Sequence, residues 1–526
     1  MSGPLAGAWA PFGQRVFAVM WTAALVGNIG TWMRDVGAGW LMTEMAPSAT
    51  WVALVQVAAT LPLFLLALPA GALADAINRR RLLIAVNIVM GLAALYLGLT
   101  TQAGAMTPAL LVAGLLVAGI ASALATPVLQ SLTPLQVPRP LLRDAIALNS
   151  MGFNVARAIG PAVGGALVAA AGTAAAFYAD ALSYLAVIAA LLWWKGAAAP
   201  ASADAPERFA PALRTGLRYV MHAPQLQRLL LRAAAFFLFA SCAWSLLPLL
   251  ARQHLGGTAG YYGLLLGALG AGAVVGALLL PRLKARHSAQ QMVGAASALA
   301  VAVLLAWAWV PHRGFAFVPA IGLGIAWITV LTVLNTAAQT TLPAWVRGRG
   351  LAVYLCVFYG SMTAGSLLWG TLADAFGLAV SCTLAALLGI AGLVLAAAKP
   401  LPEAELDLNP AEQAWPAPLN LLGDGDDVPV QVSVDYRIDP ALRDTFLNAL
   451  RELSQARQRN GAMHWAAWED AADPGAFSEQ WIEPSWTDHQ RHHHRHTALD
   501  AGLQAAVLSF HRGDAPPRVR HWRVRA

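Results

Sequence analysis

The sequence predicts an all-α polytopic membrane protein of twelve transmembrane helices in two six-helix halves, followed by a small α+β ferredoxin-like domain. Three observations carry this prediction. Hydrophobic residues make up 58% of the chain and charged residues only 12%, and the apolar residues gather into runs long enough to cross a hydrocarbon core about 30 Å thick. Glycine, proline and basic residues recur at a fixed offset of 205 positions. After Lys399 the composition turns abruptly to proline and acid, and then to strand-like alternation.

The first apolar run follows Arg15 and continues to Met42 without a separate cleavage region, so it is expected to stay as a helix. Charged or Pro/Gly-rich breaks place the spans near 16–42, 51–73, 82–101, 107–129, 146–170 and 174–194. Six more follow near 228–251, 260–281, 289–310, 315–338, 350–373 and 378–398. Alternate loops then hold Arg79, Arg80, Arg81, Arg139, Arg143, Lys195, Arg208, Arg214, Arg218, Arg282, Lys284, Arg286, Arg347 and Arg349, with Arg15 at the start, whereas the other set holds Arg252 and Arg313, plus Arg34 if it lies near a helix end. An excess of Lys and Arg marks the cytoplasmic side, so both termini are expected there. This distribution accounts for the net charge of +7 without a nucleic-acid partner. Cys242, Cys356 and Cys382 fall inside apolar runs and read as packing residues.

The expected organisation is a first half over 1–195, a connecting loop over 196–227, a second half over 228–398, a linker over 399–427 and a cytoplasmic domain over 428–526. "GALADAINRR" at 71 aligns with "GALLLPRLKA" at 276, and at the same offset Pro138 pairs with Pro343, Gly160 with Gly365, Gly165 with Gly370 and Gly172 with Gly377. Duplicated six-helix halves are a transporter architecture, with the substrate site where the halves meet near mid-membrane.

The turn at 71–81 resembles the loop signature of the major facilitator superfamily. Gly71, Leu73, Asp75, Arg79 and Arg80 match it, while Ala76 and Asn78 depart from its usual basic residue and glycine. The resemblance implies a conformational latch, one-sided here because the second copy has Leu280 in place of the acid. "RAIGPAVGG" at 157–165 resembles the fifth-helix signature of antiporters in that superfamily through Gly160, Pro161, Gly164 and Gly165. On spacing alone these four also fit a generic small-residue packing face with a proline bend. "NIGTWMRDVGAGWLM", "ALNSMGFNVARAIGPAVGG" and "DALSYLAVIAALLWW" together resemble the transmembrane secretion effector branch, which includes enterobactin-exporter-like proteins. That resemblance spans about residues 12–398 and implies proton-driven export across a bacterial inner membrane. The fourth span lacks the arginine of many drug–proton antiporters.

Charges retained inside a membrane are usually paired or line a cavity. Arg34 and Asp35 lie in the outer third of span one, Arg157 near the middle of span five and Asp180 about two turns into span six. In superfamily members the first and fifth helices border the central cavity, so Asp35 with Arg157 is the expected coupling pair, and Asp180 reads as more structural. Asn28, Gln56, Gln130 and Asn154 are polar candidates for the cavity wall.

In the C-terminal domain, Val428, Val430, Val432, Val434, Tyr436 and Ile438 alternate as a strand, and Leu442, Phe446, Leu450 and Leu453 follow at helical spacing. Strand-like "AMHWAAWED" and "FSEQWIE", a helix from about Ser485 and a strand near Val519 complete a β-α-β-β-α-β order. His489 with His493, and His492 with His496, have the i, i+4 spacing that could put two imidazoles on one helix face, a weak metal site at most. Trp486, His489, Arg491, His493, Arg495 and Thr497 match the tail of the secretion-effector branch, and the domain resembles the antibiotic-biosynthesis-monooxygenase type, which implies a possible homodimer through 428–526.

The function expected is secondary transport: outward movement of a small hydrophobic or siderophore-like compound, coupled to protons, with no cofactor and no enzymatic step. The rivals are an importer on the same scaffold, and a membrane-tethered enzyme or sensor acting through the C-terminal domain.

Overall fold

The protein is described by a computed structural model over residues 7–46, 48–76, 78–194, 216–398, 400, 407–409, 411 and 428–523, side chains at 68, 70–76, 130, 131 and 494 excepted. Among the described residues, twelve helices are long and apolar enough to cross a membrane. The first six are α1 (Arg15–Met45), α2 (Ala49–Ala76), α3 (Arg79–Gln102), α4 (Pro108–Gln136), α5 (Leu142–Ala171) and α6 (Thr173–Trp193). The next six are α7 (Pro224–Leu249), α8 (Ala259–Lys284), α9 (Ala289–Trp309), α10 (Phe317–Thr340), α11 (Arg347–Phe376) and α12 (Leu378–Ala398). Several outrun their apolar cores: α4 continues seven residues past the expected end at 129, and a π-helical turn, Leu250–His254, extends α7.

Capping chemistry sets many of these ends. The Asn78, Thr107 and Thr258 side chains accept from backbone N–H groups in the first turns of α3, α4 and α8. Ser288 and Gln291 form a reciprocal capping box at the start of α9. The two helix junctions related by the repeat, Gly172 and Gly377, both have positive φ, +83° and +87°, a conformation that disfavours any residue with a Cβ.

The chain divides into two compact units. The first comprises Met1–Ala205, Leu230–Asn335 and Tyr354–Leu401 and holds the bulk of the helical bundle. Within it α6 packs on α1 and α3, α4 on α2, and α12 on α9, while α5 crosses to α8 of the other half.

The second unit comprises Pro206–Leu229, Thr336–Val353 and Pro402–Ala526. Its sheet has the order β2-β3-β1-β4, built from β1 (Val430–Arg437), β2 (Met463–Glu469), β3 (Ala476–Glu483) and β4 (Arg518–Arg523). All neighbours are antiparallel, with Val432 opposite Trp481 on one side and His521 on the other. Helix α13 (Arg443–Asn460) follows β1, and α14 (Trp486–His494) and α15 (Ala498–Leu508) follow β3. Val430, Val432, Val434, Tyr436, Phe446, Leu450, Leu453, Phe477 and Trp481 form its core, each aliphatic side chain contributing about 1.5–3 kcal/mol by leaving water. Leu442 departs from the expected apolar stripe: it precedes the helix and is 41% exposed. The single helix expected after Ser485 is two, because Thr497 and Asp500 form a new capping box that breaks the chain at Arg495 and His496.

Candidate functional site

The two halves meet through glycine. A Cβ on Gly165 of α5 would lie 2.8 Å from the Gly263 Cα of α8, so neither position has room for a side chain. The repeat-related contact is α11 on α2, where a Cβ on Gly370 would lie 2.6 Å from that of Ala53. Within each half the pattern also recurs, Gly160 against Trp32 of α1 and Gly365 against Ser241 of α7. Gly164 sits over the Met33 backbone, and α5 continues as a helix through Pro161.

Three further inter-half contacts lie toward the face opposite the basic loops. Asp374, near the end of α11, accepts from Ala49 N at 2.6 Å, Thr50 N at 2.9 Å and Ser48 Oγ at 2.7 Å. It therefore caps the first turn of α2 across the halves, with its charge at the positive end of the helix dipole. Arg252 donates to Thr43 Oγ1 at 3.1 Å and lies over the Trp40 ring. Thr60 and Thr363 are joined at 2.8 Å. The halves are thus closed on that face. Asp374 was missed in the sequence because an acid at a helix end reads as an ordinary loop residue.

The expected Asp35–Arg157 pair does not form. Arg34 turns to both neighbouring carboxylates instead: Nη2 donates to Asp35 Oδ1 at 2.9 Å, and Nη1 lies 3.4 Å from Asp180 Oδ2. Tyr184 completes the cluster, its hydroxyl 3.5 Å from Arg34 Nη1 and 3.2 Å from Thr31 Oγ1. Asp180 is fully buried and its Oδ1 lacks a partner among the described residues. The pairing follows from helix packing, since a Cβ on Gly30 would meet Ser183 Oγ at 2.2 Å. That closeness brings the outer third of α1 against the first turns of α6, and residue 157 of α5 faces elsewhere. Asp180, expected to be the more structural acid, is the one enclosed with the arginine.

Arg157 stacks over Phe153 at 4.9 Å and Trp32 at 5.9 Å, and it interacts electrostatically with Tyr359 of the other half. Trp32 begins an aromatic chain that crosses the halves, 6.3 Å to Trp244 of α7 and from there 5.2 Å to Trp327 of α10. Phe237 and Phe358 extend it, 4.3 Å apart. Arg157 Nε and Trp244 Nε1 are buried donors without acceptors among the described residues. Mid-span tryptophans were the available sequence signal for this wall, but nothing in their spacing tells which of them converge.

The remaining candidates are dispersed. Asn28 and Gln56 are half-buried; Asn154 donates back to the Ser150 carbonyl of its own helix at 2.9 Å; the Gln130 side chain lies outside the described residues. Of the latch, Gly71 lies in α2, and the Asp75 side chain is outside the described residues. Arg79 has interactions of its own, and Arg80 donates to the Leu191 and Leu192 carbonyls at 2.7 and 2.8 Å, capping the end of α6. Cys242 and Cys382 are free, with sulfurs 3.8 Å apart.

In the second unit the histidines are organised by a buried acid. Glu483 Oε2 bonds His489 Nδ1 at 3.1 Å, and Oε1 bonds His492 Nδ1 at 2.7 Å and accepts from Trp481 Nε1 at 2.9 Å. The carboxyl of Glu483 is held well below its usual range: burial opposes this, and the two histidines outweigh it. His493 Nε2 lies 3.2 Å from His489 Nε2. Burial, and then the rings of His489 and His492, push His493 down to about 3, and burial takes His496 to about 4. His492 and His496 do not share a helix face, because α14 ends at His494. Among the described residues no group of three or more His, Cys, Asp or Glu could hold a metal ion.

Comparison with known proteins agrees with this architecture. Residues 6–525 match the transmembrane secretion effector family. The staphyloferrin A transporter of Staphylococcus aureus (strain NCTC 8325 / PS 47) is 25% identical over 66% of this chain and 87% of its own. The multidrug efflux pump Tap of Mycolicibacterium fortuitum is 28% identical over 68% and 88%. Among solved structures, a bacterial homologue of the human lysosomal transporter Spinster, inward-facing and occupied, has a TM-score of 0.60 at 17% identity, covering 74% of this chain and 98% of its own. Nucleoside transporter NupG has a TM-score of 0.61 at 10% identity, covering 73% and 99%. With twelve spans, two repeated halves and a family match along almost its whole length, this chain belongs to the transmembrane secretion effector family of major facilitator transporters.

Proposed function

We propose that the protein is a proton-coupled exporter of small hydrophobic or siderophore-like compounds, working by alternating access in a bacterial inner membrane with both termini in the cytoplasm. The observation that carries this reading is the aromatic wall between the halves, Trp32, Trp244 and Trp327, beside Arg157. Such a wall accepts varied apolar bodies, while Arg157 and the Trp244 indole offer donors to a carboxylate, catecholate or hydroxamate oxygen. The names of the staphyloferrin and multidrug relatives are in keeping with that range. Closure on the face opposite the basic loops is in keeping with loading from the basic-loop side, as an exporter requires.

Coupling is assigned to Arg34, Asp35 and Asp180. With both acids ionised the cluster carries one negative charge in excess, and a single proton on Asp180 neutralises it where the cost of buried charge is greatest. Residues 1–195 and 228–398 act as the moving halves, with 196–227 and 399–427 as connections.

The domain over 428–526 acts as a regulatory module. It supports this role through contacts inside its own unit: Arg218 donates to the Gly461 carbonyl at 2.7 Å, and Arg495 lies 4.6 Å over Trp345, which also packs against Tyr219. It is thereby tied to the segment entering α7 and to the turn between α10 and α11. Trp468 and Trp522, 59% and 52% exposed, offer a surface for a second copy.

Everted vesicles acidified inside should accumulate members of a panel of lipophilic toxins and siderophores, and Asp180→Asn should abolish accumulation at equal expression. Accumulation only in right-side-out vesicles would make the protein an importer. Accumulation indifferent to the pH gradient would remove the proton.

A further inference from the structure

A cavity of about 240 Å³ lies between α7, α9 and α12, and all of its lining residues belong to the second half. It backs onto the second-half part of the aromatic wall, its lining Phe236 lying 6.1 Å from the Trp327 ring and 5.2 Å from the Phe237 ring. The repeat explains why the space exists. Helices α6 and α12 correspond end to end at the offset of 205, so Gly389, Gly392 and Ala396 of α12 stand where α6 has Tyr184, Val187 and Leu191. In the first half those three side chains pack in the hydrophobic core. In the second half Val301 and Phe239 close over Gly389, where an added Cβ would meet them at 2.7 and 3.2 Å, and the unfilled volume remains beside Gly294 and Ala396, where close-packed interiors do not keep it without cost.

One end of the cavity is charged. Arg232 is only 6% exposed; it donates to the Ala396 carbonyl at 2.7 Å and to the Gln290 side-chain oxygen. Gln290 is the second residue of α9 and Ala396 lies in the last turn of α12, so this end is the one nearest the basic loops. The last turn of α8 and the turn before α9 add exposed Arg282, Lys284 and Arg286. Toward the membrane interior the lining is apolar or small, and an added Cβ on Gly294 of α9 would meet nothing within 4 Å.

An occupant complementary to this arrangement has an apolar tail that runs between helices and an anionic head at the basic end. We propose that the cavity binds one anionic phospholipid, with an acyl chain between α7, α9 and α12 and its phosphate at Arg232. A basic pocket between transmembrane helices on the Lys/Arg-rich side suits such a headgroup.

The test uses the full chain, purified in detergent, stripped of lipid and titrated with phosphatidylglycerol, phosphatidylethanolamine or inorganic phosphate, with one-to-one adducts followed by native mass spectrometry. Phosphatidylglycerol should bind one site roughly five- to tenfold more tightly than phosphatidylethanolamine, and millimolar inorganic phosphate should not displace it. Gly294→Leu, which grows into the open space, should abolish the tight adduct. Ala396→Leu, which restores the first-half residue, should do the same and serves if Gly294→Leu does not fold. Equal binding of the two lipids, unchanged phosphatidylglycerol binding in a folded variant, or displacement by inorganic phosphate alone would each overturn the proposal.

Discussion

Replacing Arg34 by methionine tests the buried cluster most directly. The substitution keeps much of the apolar stem and removes the cation paired with Asp180, whose carboxylate is fully buried. Two losses can be weighed. Asp35 is 42% exposed and loses an ion pair of the partly solvated kind, worth about 0–1 kcal/mol. Asp180 is left as an uncompensated buried charge, and breaking a buried pair from one side costs about 3–5 kcal/mol. The second term dominates. For a helical half of this size it corresponds to a fall in melting temperature on the order of 10 °C. Thermal melts of detergent-purified protein, read as monodisperse material surviving on size exclusion, measure it. The double variant Arg34→Met with Asp180→Leu should recover most of the loss, because the stranded charge goes with it. A melting temperature within about 2 °C of the parent for Arg34→Met alone, or no recovery in the double variant, would refute the reasoning.

Gly165→Leu places a side chain where only 2.8 Å separates a Cβ from the Gly263 backbone, so it should prevent closure of the halves and abolish transport while folded protein persists; normal flux would dismiss the contact as a gate. Asp374→Ala removes a helix cap worth about 1 kcal/mol and should raise maleimide labelling of a cysteine placed at Ala53 in a cysteine-free background; unchanged labelling would deny it a locking role. Acidification should loosen the C-terminal domain in two stages, seen as protease sensitivity of the full chain. His493 and His496 stay neutral when folded, so stability falls once pH drops below about 6.5, where the unfolded chain takes up their protons. Glu483 contributes stability that is present above about pH 4.3 and lost as pH falls toward its depressed folded value. Sensitivity that does not change between pH 7 and pH 4 would contradict both. Residues 428–526 should fold without metal and bind Zn²⁺ only weakly, since two imidazoles make an incomplete site; tight stoichiometric zinc would promote a metal-sensor reading.

The twelve spans were legible because a membrane imposes a requirement on length and polarity that each segment meets by itself, whatever its neighbours do. The repeat was legible for a related reason: Gly165 and Gly370, or Gly172 and Gly377, recur where backbone approach or positive φ permits nothing larger. Strand alternation from Val428 to Ile438 likewise announced a sheet with one buried face. Position along the chain also placed Arg34, Asp35, Arg157 and Asp180 within spanning helices.

Depth does not give azimuth. Which charges meet depends on how helices rotate about their axes and which small residues let them touch, and those are properties of pairs of helices. Arg34 meets Asp180 because Gly30 admits Ser183, and Asp35 and Arg157 stay apart although both lie within spanning helices that pack on each other. The histidines show the same division. Their number and spacing were plain, but Glu483 was not an evident partner, since burial against β3 makes a six-residue separation a contact. The sequence by itself determined the number of spans, their pairing by duplication and the change to an α+β domain, because hydrophobicity and backbone conformation are local. Only the tertiary structure decided the ion cluster, the aromatic wall across the halves and the cap of α2 by Asp374, because each joins side chains whose distance is set by packing.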